Sequence, residues 1–428
     1  MTLKPPKETV LDRFLRYVKI DTQSQEDAER YPSTEKQLDL LRLLVGELES
    51  LGVKDAAIDQ YGYVTGTVPA TLSAGAASRV PTVAFIAHVD TSPAFSGAGV
   101  KAVIHRNYQG GDIVLPGDAS QVIRTKEYPH LEKLYKGMDI VTSDGTTLLG
   151  ADDKAGIAEI MTAVDLFMRN PDLEHGTIKI GFTPDEEVGN GTKYFDVKKF
   201  GADFAYTLDG GPLGEIEMET FNAFQAVIKI EGVGVHPGYA KDKLVNAIRV
   251  FADIVTRLPK DMAPETTEER QGYIHPYDSH GQAEAVTIKF LLRDFDMEGI
   301  EREKKILTGI VEEVRALYPK AKIDVEFKEQ YLNMRYHLEK DRRVLEYAEE
   351  AIRRTGAEPH YTLIRGGTDG ARLTYEGLLT PNLFAGGEAF HSKIEWVPVQ
   401  VMEKAVETVV ALASVWREKT TQPGGQTT

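Results

Sequence analysis

Apolar positions recur along this chain with two different periods, and the switch between them outlines the fold. Glu8–Ile20 repeats at helical spacing and reads as an amphipathic helix. A second helix follows Pro32, with Thr34 and Gln37 spaced as a capping box, and ends near Gly52. Pro81–Ala87 is a continuous apolar run of the kind that fills a buried parallel strand. Asp153–Met168 is helical again, and Thr177–Phe182 and Phe204–Leu208 are strand-like. Strands alternating with helices predict βαβ units and a mostly parallel α/β sheet. The pattern then changes to strand Phe224–Glu231, helix Lys243–Leu258, strands Tyr273–His280 and Glu284–Asp294, helix Glu298–Leu317 and strand Lys322–Gln330. That β-α-β-β-α-β order is the ferredoxin-like α+β unit, here inserted into the first domain. From Arg342 the first pattern resumes: a helix to Thr355, a Gly-rich turn at Arg365–Gly370, a strand at Asn382–Ala385 and a last helix over Pro398–Lys419. The expected organisation is 1–213 and 333–420 as one α/β domain, 214–332 as the insertion, and 421–428 as a disordered tail.

Composition narrows the function class. At 428 residues, with 42% hydrophobic and 27% charged residues, the chain fits a globular protein of two domains. Its 66 acidic against 50 basic residues give a net charge of −16, which argues against nucleic acid or an anionic membrane as partner. With no cysteine, disulfides and thiolate chemistry are excluded. No apolar run approaches the ~20 residues of a membrane span, and the expected location is cytoplasmic.

Five acidic or histidine motifs fall at or just after predicted strand ends: His88 with Asp90, Asp152 in A-D-D-K-A-G, Glu186 and Glu187 in P-D-E-E-V-G, Asp209 in L-D-G-G, and His391. Each alone has an ordinary reading as a cap, a turn or a loop charge. Together they lie at the carboxyl ends of the strands, where open α/β sheets bind ligands. Carboxylates and imidazoles converging there need a partner for their charge, and a pair of divalent cations is the simplest one. Histidine, Asp and Glu without Cys suit zinc or a similar ion in a catalytic site. In H-x-D both side chains of an extended backbone point the same way, which suits a carboxylate that orients a metal-bound imidazole. Adjacent Glu186 and Glu187 suit a division of labour between base and ligand.

These motifs resemble those of the M20 metallopeptidases, and within them the tripeptide-cleaving aminopeptidases. The resemblance runs nearly end to end, through F-I-A-H-V-D-T-S-P at 85–93, A-D-D-K-A-G at 151–156, F-T-P-D-E-E-V-G at 182–189, Y-T-L-D-G-G at 206–211, V-H-P-G at 235–238, L-L-R-D-F-D at 291–296 and I-R-G-G-T-D-G-A at 364–371. It implies a di-zinc peptidase domain with two Zn2+ per subunit, cobalt or manganese being able to substitute. His88, Asp152 and Asp209 would hold one ion, and Asp152, Glu187 and His391 the other. Asp90 would orient His88 and Glu186 would be the general base, with a cis peptide after Asp152. The insertion would be a lid and dimerisation domain whose His236 reaches the partner subunit's site. Asn246, Arg293 and Arg365 would contact the substrate. One departure is Glu388-Ala389-Phe390, where the enterobacterial members of this branch carry a tyrosine- and asparagine-containing stretch; it bears on substrate preference. The implied partners are short peptides, chiefly tripeptides, and a second copy of the chain. Alternative activities are a dipeptidase, carboxypeptidase or N-acyl amino-acid deacylase of the same family. From other classes, the alternatives are a non-catalytic binding protein and a glycosidase working through a carboxylate pair.

Overall fold

Apolar runs of the first pattern become the centre of an eight-stranded sheet in the computed structural model, which describes residues 3–421. Four strands are mutually parallel: Ile178–Thr183, Val83–His88, Phe204–Gly210 and Asn382–Phe384, side by side in that order. Val83–His88 is buried along its whole length, as expected of a strand covered on both faces. Antiparallel strands flank this core, Val64–Val68 and Ala57–Ile58 on one side and Glu215–Thr220 on the other, with His360–Ile364 at the far edge.

The helix Ala151–Arg169 packs on the parallel strands. Nearly every residue of it is buried, because the helices Val10–Tyr17 and Val399–Thr421 cover its outer side. The approach to the sheet is close: a Cβ on Gly156 would stand 2.0 Å from the Leu208 carbonyl oxygen. Phe85 and Phe182 are fully buried in this layer, each contributing about 1.5–3 kcal/mol by leaving water.

The chain forms two compact units. The first takes everything up to Met218, Tyr336–Thr362, and the chain from Thr368 on. The second is Glu219–Arg335 together with Leu363–Gly367. The boundaries differ from the expected 214–332 by a few residues, and the Gly-rich turn around Arg365 groups with the second unit rather than the first. That unit is a four-stranded antiparallel sheet in the order Tyr273–Gly281, Ala285–Asp294, Asn222–Glu231, Lys322–Tyr331. The helices Ala247–Thr256 and Met297–Leu317 close its core around Ile228, Phe290, Val250 and Val311. Its strand–helix order is that of the ferredoxin-like unit.

Two local expectations change. Gln37 does not close a capping box: the second helix, Gln37–Leu51, has Lys36 at its N-cap with no side-chain cap. The Gln37 amide instead donates to Asp185 Oδ1 at 2.7 Å and accepts from the Asp185 N–H at 3.1 Å. The helix expected from Lys243 starts at Ala247, because Val245 pairs with Val233 and Asn246 caps it. The tail expected to be disordered lies, from Gln422 on, outside the described residues.

Candidate metal centre

All four parallel strands deliver an ionisable side chain at their carboxyl ends. His88 is the last residue of its strand and Asp209 is next to last in its own. Glu186 and Glu187 follow the strand ending at Thr183, and His391 follows the strand ending at Phe384. Asp152 comes from the turn that starts the buried helix, next to a cis peptide bond between Asp152 and Asp153.

Asp152 lies between the two imidazoles. Its Oδ1 is 2.8 Å from His88 Nε2 and its Oδ2 is 3.2 Å from His391 Nε2. On the far side of His88, Asp209 Oδ1 is 3.4 Å from the same Nε2. On the far side of His391, Glu187 Oε2 is 2.7 Å from Nε2. The five residues named for two metal-holding sets are therefore one chain of contacts with Asp152 in the middle. Donor atoms of His88, Asp152 and Glu187 lie within 4.8 Å of one another, as do those of His88, Asp153 and Asp209. Asp153 is drawn away from a ligand role: it accepts the N–H groups of His88 at 3.2 Å and Gly156 at 3.1 Å. An imidazole and carboxylate donor set this close, without thiolates, fits hard or borderline divalent ions.

Asp90 does more than H-x-D spacing implies. The His88 Nδ1 lies 3.1 Å from the Asp90 backbone carbonyl and 3.4 Å from its Oδ1, so the carbonyl is the nearer partner of the ring. The fully buried carboxylate accepts the N–H of Glu186 at 3.0 Å and of Glu187 at 3.2 Å. One aspartate thus fixes an imidazole and the loop bearing both glutamates. Asp185, just before them, has φ +59°, and His391 has φ +57°. Non-glycine residues in this region are uncommon and concentrate where turns aim functional groups.

Electrostatics separates the groups. Burial opposes charge on His88, but the carboxylates of Asp209, Asp152 and Asp90 outweigh it and raise its pKa well above the usual value. Hydrogen bonding to Asp152 and Glu187 lifts His391 to about 11. Burial would raise Asp152, yet the contacts with His391 and His88 hold it below the usual carboxylate range. Glu187 is pushed up to about 8 by burial and the Asp152 charge. Glu186 is raised well above normal, mainly by burial, in the direction that suits a base working near neutrality.

The residues expected to contact substrate sit in the second unit. His236 is exposed and its Nδ1 accepts the Gly238 N–H at 3.2 Å. Asn246 caps its helix through Ile248 N–H at 2.9 Å. Arg293 is buried, donating to the Phe224 and Leu292 carbonyls and to Gln330 Oε1 at 2.9 Å. Arg365 donates to the carbonyls of Glu269 and Gln271 and lies over the rings of Phe221 and Tyr273. In the first unit, Glu388 of the departing stretch stands 2.7 Å from His130 Nε2.

Lys154, Asp369 and Glu395 are among the buried ionisable groups to which the sequence assigns no role. Lys154 donates from Nζ to the Ile20 carbonyl at 2.7 Å, and burial lowers it to about 8. Asp369 accepts the Thr183 hydroxyl at 2.7 Å and burial raises it to about 7. Lys154 and Asp369 lie inside motifs already singled out, D-D-K-A-G and G-G-T-D-G. Glu395 has no local signal beyond following His391 by four positions, although it holds the backbone around Asp152.

Comparison with known proteins agrees with this geometry. Residues 138–415 match the model of peptidase family M20/M25/M40. The peptidase T of Caldanaerobacter subterraneus subsp. tengcongensis is 48% identical over 410 residues, spanning 96% of this chain and 99% of that one. The crystal structure of aminopeptidase PepT from Bacillus cereus ATCC 10987 superimposes with a TM-score of 0.72 at 26% identity, covering 95% of this chain and 98% of that one. A dinuclear metal-binding peptidase of the M20 family from Bacillus subtilis shares the fold, with a TM-score of 0.63 at 15% identity over 96% and 99% of the two chains. With a family model spanning most of its length and relatives alike from end to end, the chain belongs to peptidase family M20/M25/M40.

Proposed function

We propose that this chain is a metal-dependent aminopeptidase that removes the N-terminal residue of tripeptides. The observation that carries the reading is Asp152 placed between His88 and His391, with one carboxylate oxygen facing each ring. His88, Asp152 and Asp209 would hold one divalent ion and Asp152, Glu187 and His391 a second, zinc being the proposed metal. When bound, such ions lower the pKa of a water toward neutrality and polarise the scissile carbonyl. Glu186 would accept a proton from the attacking water and return it to the leaving amine. Asp90 would keep both glutamates aimed through their backbone N–H groups. The substrate class rests on the likeness to the Caldanaerobacter peptidase T and the Bacillus cereus aminopeptidase. A glycosidase working through a carboxylate pair would leave the two histidines of the cluster without a part.

The experiment is turnover of Ala-Ala-Ala, Ala-Ala and N-acetylalanine before chelation, after it, and after metal add-back. Loss with chelator and recovery with zinc, confined to the tripeptide, is expected. Faster cleavage of the dipeptide or the acylated amino acid would place the chain with another activity of its family. Activity that survives chelation would remove the metals from the reaction.

The second unit is proposed as lid and dimer surface of a cytoplasmic enzyme, with His236 donating to the oxyanion in the partner's site. His236 is exposed and tied only to its own turn, so it is available for such a contact. His236→Ala is expected to lower kcat by roughly 10²–10³, the scale of one oxyanion donor, with metal content intact. Mixing it with Glu186→Gln under subunit exchange should restore part of the activity. A verified hybrid that stays as inactive as its parents would return His236 to its own chain or to no role.

No helix among the described residues is long and apolar enough to cross a membrane.

A further inference from the structure

The loop that carries His391 is closed at its base by two backbone hydrogen bonds. The Glu388 N–H donates to the Trp396 carbonyl at 2.9 Å, and the Trp396 N–H to the Glu388 carbonyl at 3.1 Å. Glu395 stands at this base with 1% of its surface exposed. Its Oε2 accepts the N–H of Leu149 at 2.8 Å and of Gly150 at 2.7 Å. Its Oε1 accepts the N–H of Asp152 at 2.9 Å. The Asp152 N–H lies in the first turn of the helix Ala151–Arg169, Leu149 and Gly150 lead into it, and the N-cap, Gly150, has no side chain to satisfy an N–H. A carboxylate is the one short side chain that accepts three N–H bonds with two oxygens and no competing donor.

The same loop therefore grips Asp152 at two points. His391, at the tip, meets its carboxylate Oδ2. Glu395, at the base, holds its backbone N–H. At φ +82° position 150 suits Gly, so no side chain there supplies a local cap. The cap comes instead from Glu395, at the base of the His391 loop, and so ties the two ligand-bearing turns together.

We infer that Glu395 is a positioning residue for the metal centre: by holding the 149–152 turn against the His391 loop, it fixes the carboxylate that both ions would share. The inference rests on the two-metal reading given above. It goes beyond capping because a cap stabilises the helix alone, whereas this arrangement ties the affinity for two ions to one buried side chain that touches neither.

The test uses the full-length protein as the wild type, Glu395→Gln and Glu395→Ala. Zn2+ stoichiometry and dissociation constants are measured by calorimetry and elemental analysis, alongside far-UV circular dichroism, Tm, and kcat and KM for Ala-Ala-Ala. Glu395→Ala is expected to keep its secondary structure and to weaken both zinc equivalents by about 10–100-fold, the range for groups that orient metal ligands. Glu395→Gln keeps the volume and one acceptor oxygen but turns an NH2 group toward one of the N–H partners, so its affinities should fall between the two. Metal saturation should recover most of the lost kcat while KM changes little. If Glu395→Ala fails to fold, the comparison stands on Glu395→Gln. A lower Tm with both zinc affinities at the wild-type value would overturn the inference and leave a plain helix cap. Weakening of only one equivalent would also overturn it, since a displaced shared carboxylate affects both. If the wild type itself fails to bind two ions, the two-metal reading has failed instead, and that outcome is separate.

Discussion

Asp152→Ala should abolish tripeptide cleavage and lose more metal than any other single ligand variant. The reason is geometric. The two Asp152 oxygens face different imidazoles, at 2.8 Å and 3.2 Å, so one side chain serves both proposed ion positions. His391 serves one of them and is half exposed, which makes its loss easier for water to replace. Elemental analysis after gel filtration should therefore find well under one zinc equivalent in Asp152→Ala and close to one in His391→Ala. Activity should fall by at least about 10³-fold, because several kcal/mol of charge stabilisation leaves with the ions. Equal metal content in the two variants would end the assignment of Asp152 as the shared ligand.

Glu186→Gln should separate chemistry from metal binding. Glu186 and Glu187 are neighbours on one loop, both held through their N–H groups by Asp90. Only Glu187 reaches a ligand histidine, with Oε2 2.7 Å from His391 Nε2. The amide keeps the shape of Glu186 and removes its basicity. Zinc content should remain at the wild-type value, and kcat should fall by roughly 10²–10⁴, the span of general acid–base catalysis. Loss of one zinc equivalent in Glu186→Gln, with Glu187→Gln retaining both, would exchange the two roles.

The legible part of this molecule was the part written in local pattern. The four parallel strands are short apolar runs, and their functional residues follow them within a few positions, so His88, Glu186, Glu187 and Asp209 could be placed on one edge before any coordinates. The insertion was visible because period and strand–helix order both change at Phe224. What stayed hidden depends on partners distant in sequence. Gln37 has capping-box spacing, but Asp185, 148 residues away, offers a buried two-way hydrogen bond that outcompetes the local one. Glu395 finds its three donors more than 240 positions earlier, and no window of sequence contains both ends of that contact. The start of the helix at Ala247 was readable in principle, since Asn246 is a preferred cap. The attachment of Leu363–Gly367 to the second unit was not, because it depends on Arg365 reaching Glu269 and Gln271.

The two ends of the second unit are knotted together by asparagines. The Thr220 N–H donates to Asn333 Oδ1 at 3.2 Å, and the Asn333 N–H to Asn222 Oδ1 at 2.9 Å. Upstream, the pairing of Ile216 and Glu217 with Leu383 and Asn382 is complete before the chain enters that unit. More than a hundred residues thus leave and return through one narrow gate, and only the short stretch Leu363–Gly367 joins the same unit from elsewhere in the chain. Such a segment is a cassette: it can be exchanged or removed at a closure cost that depends only weakly on its length. A chain in which residues 221–332 are replaced by a short Gly-Ser turn is expected to unfold cooperatively and to bind zinc, while losing tripeptide turnover. Failure of that shortened chain to fold would mean that the gate is part of the scaffold rather than a seam in it.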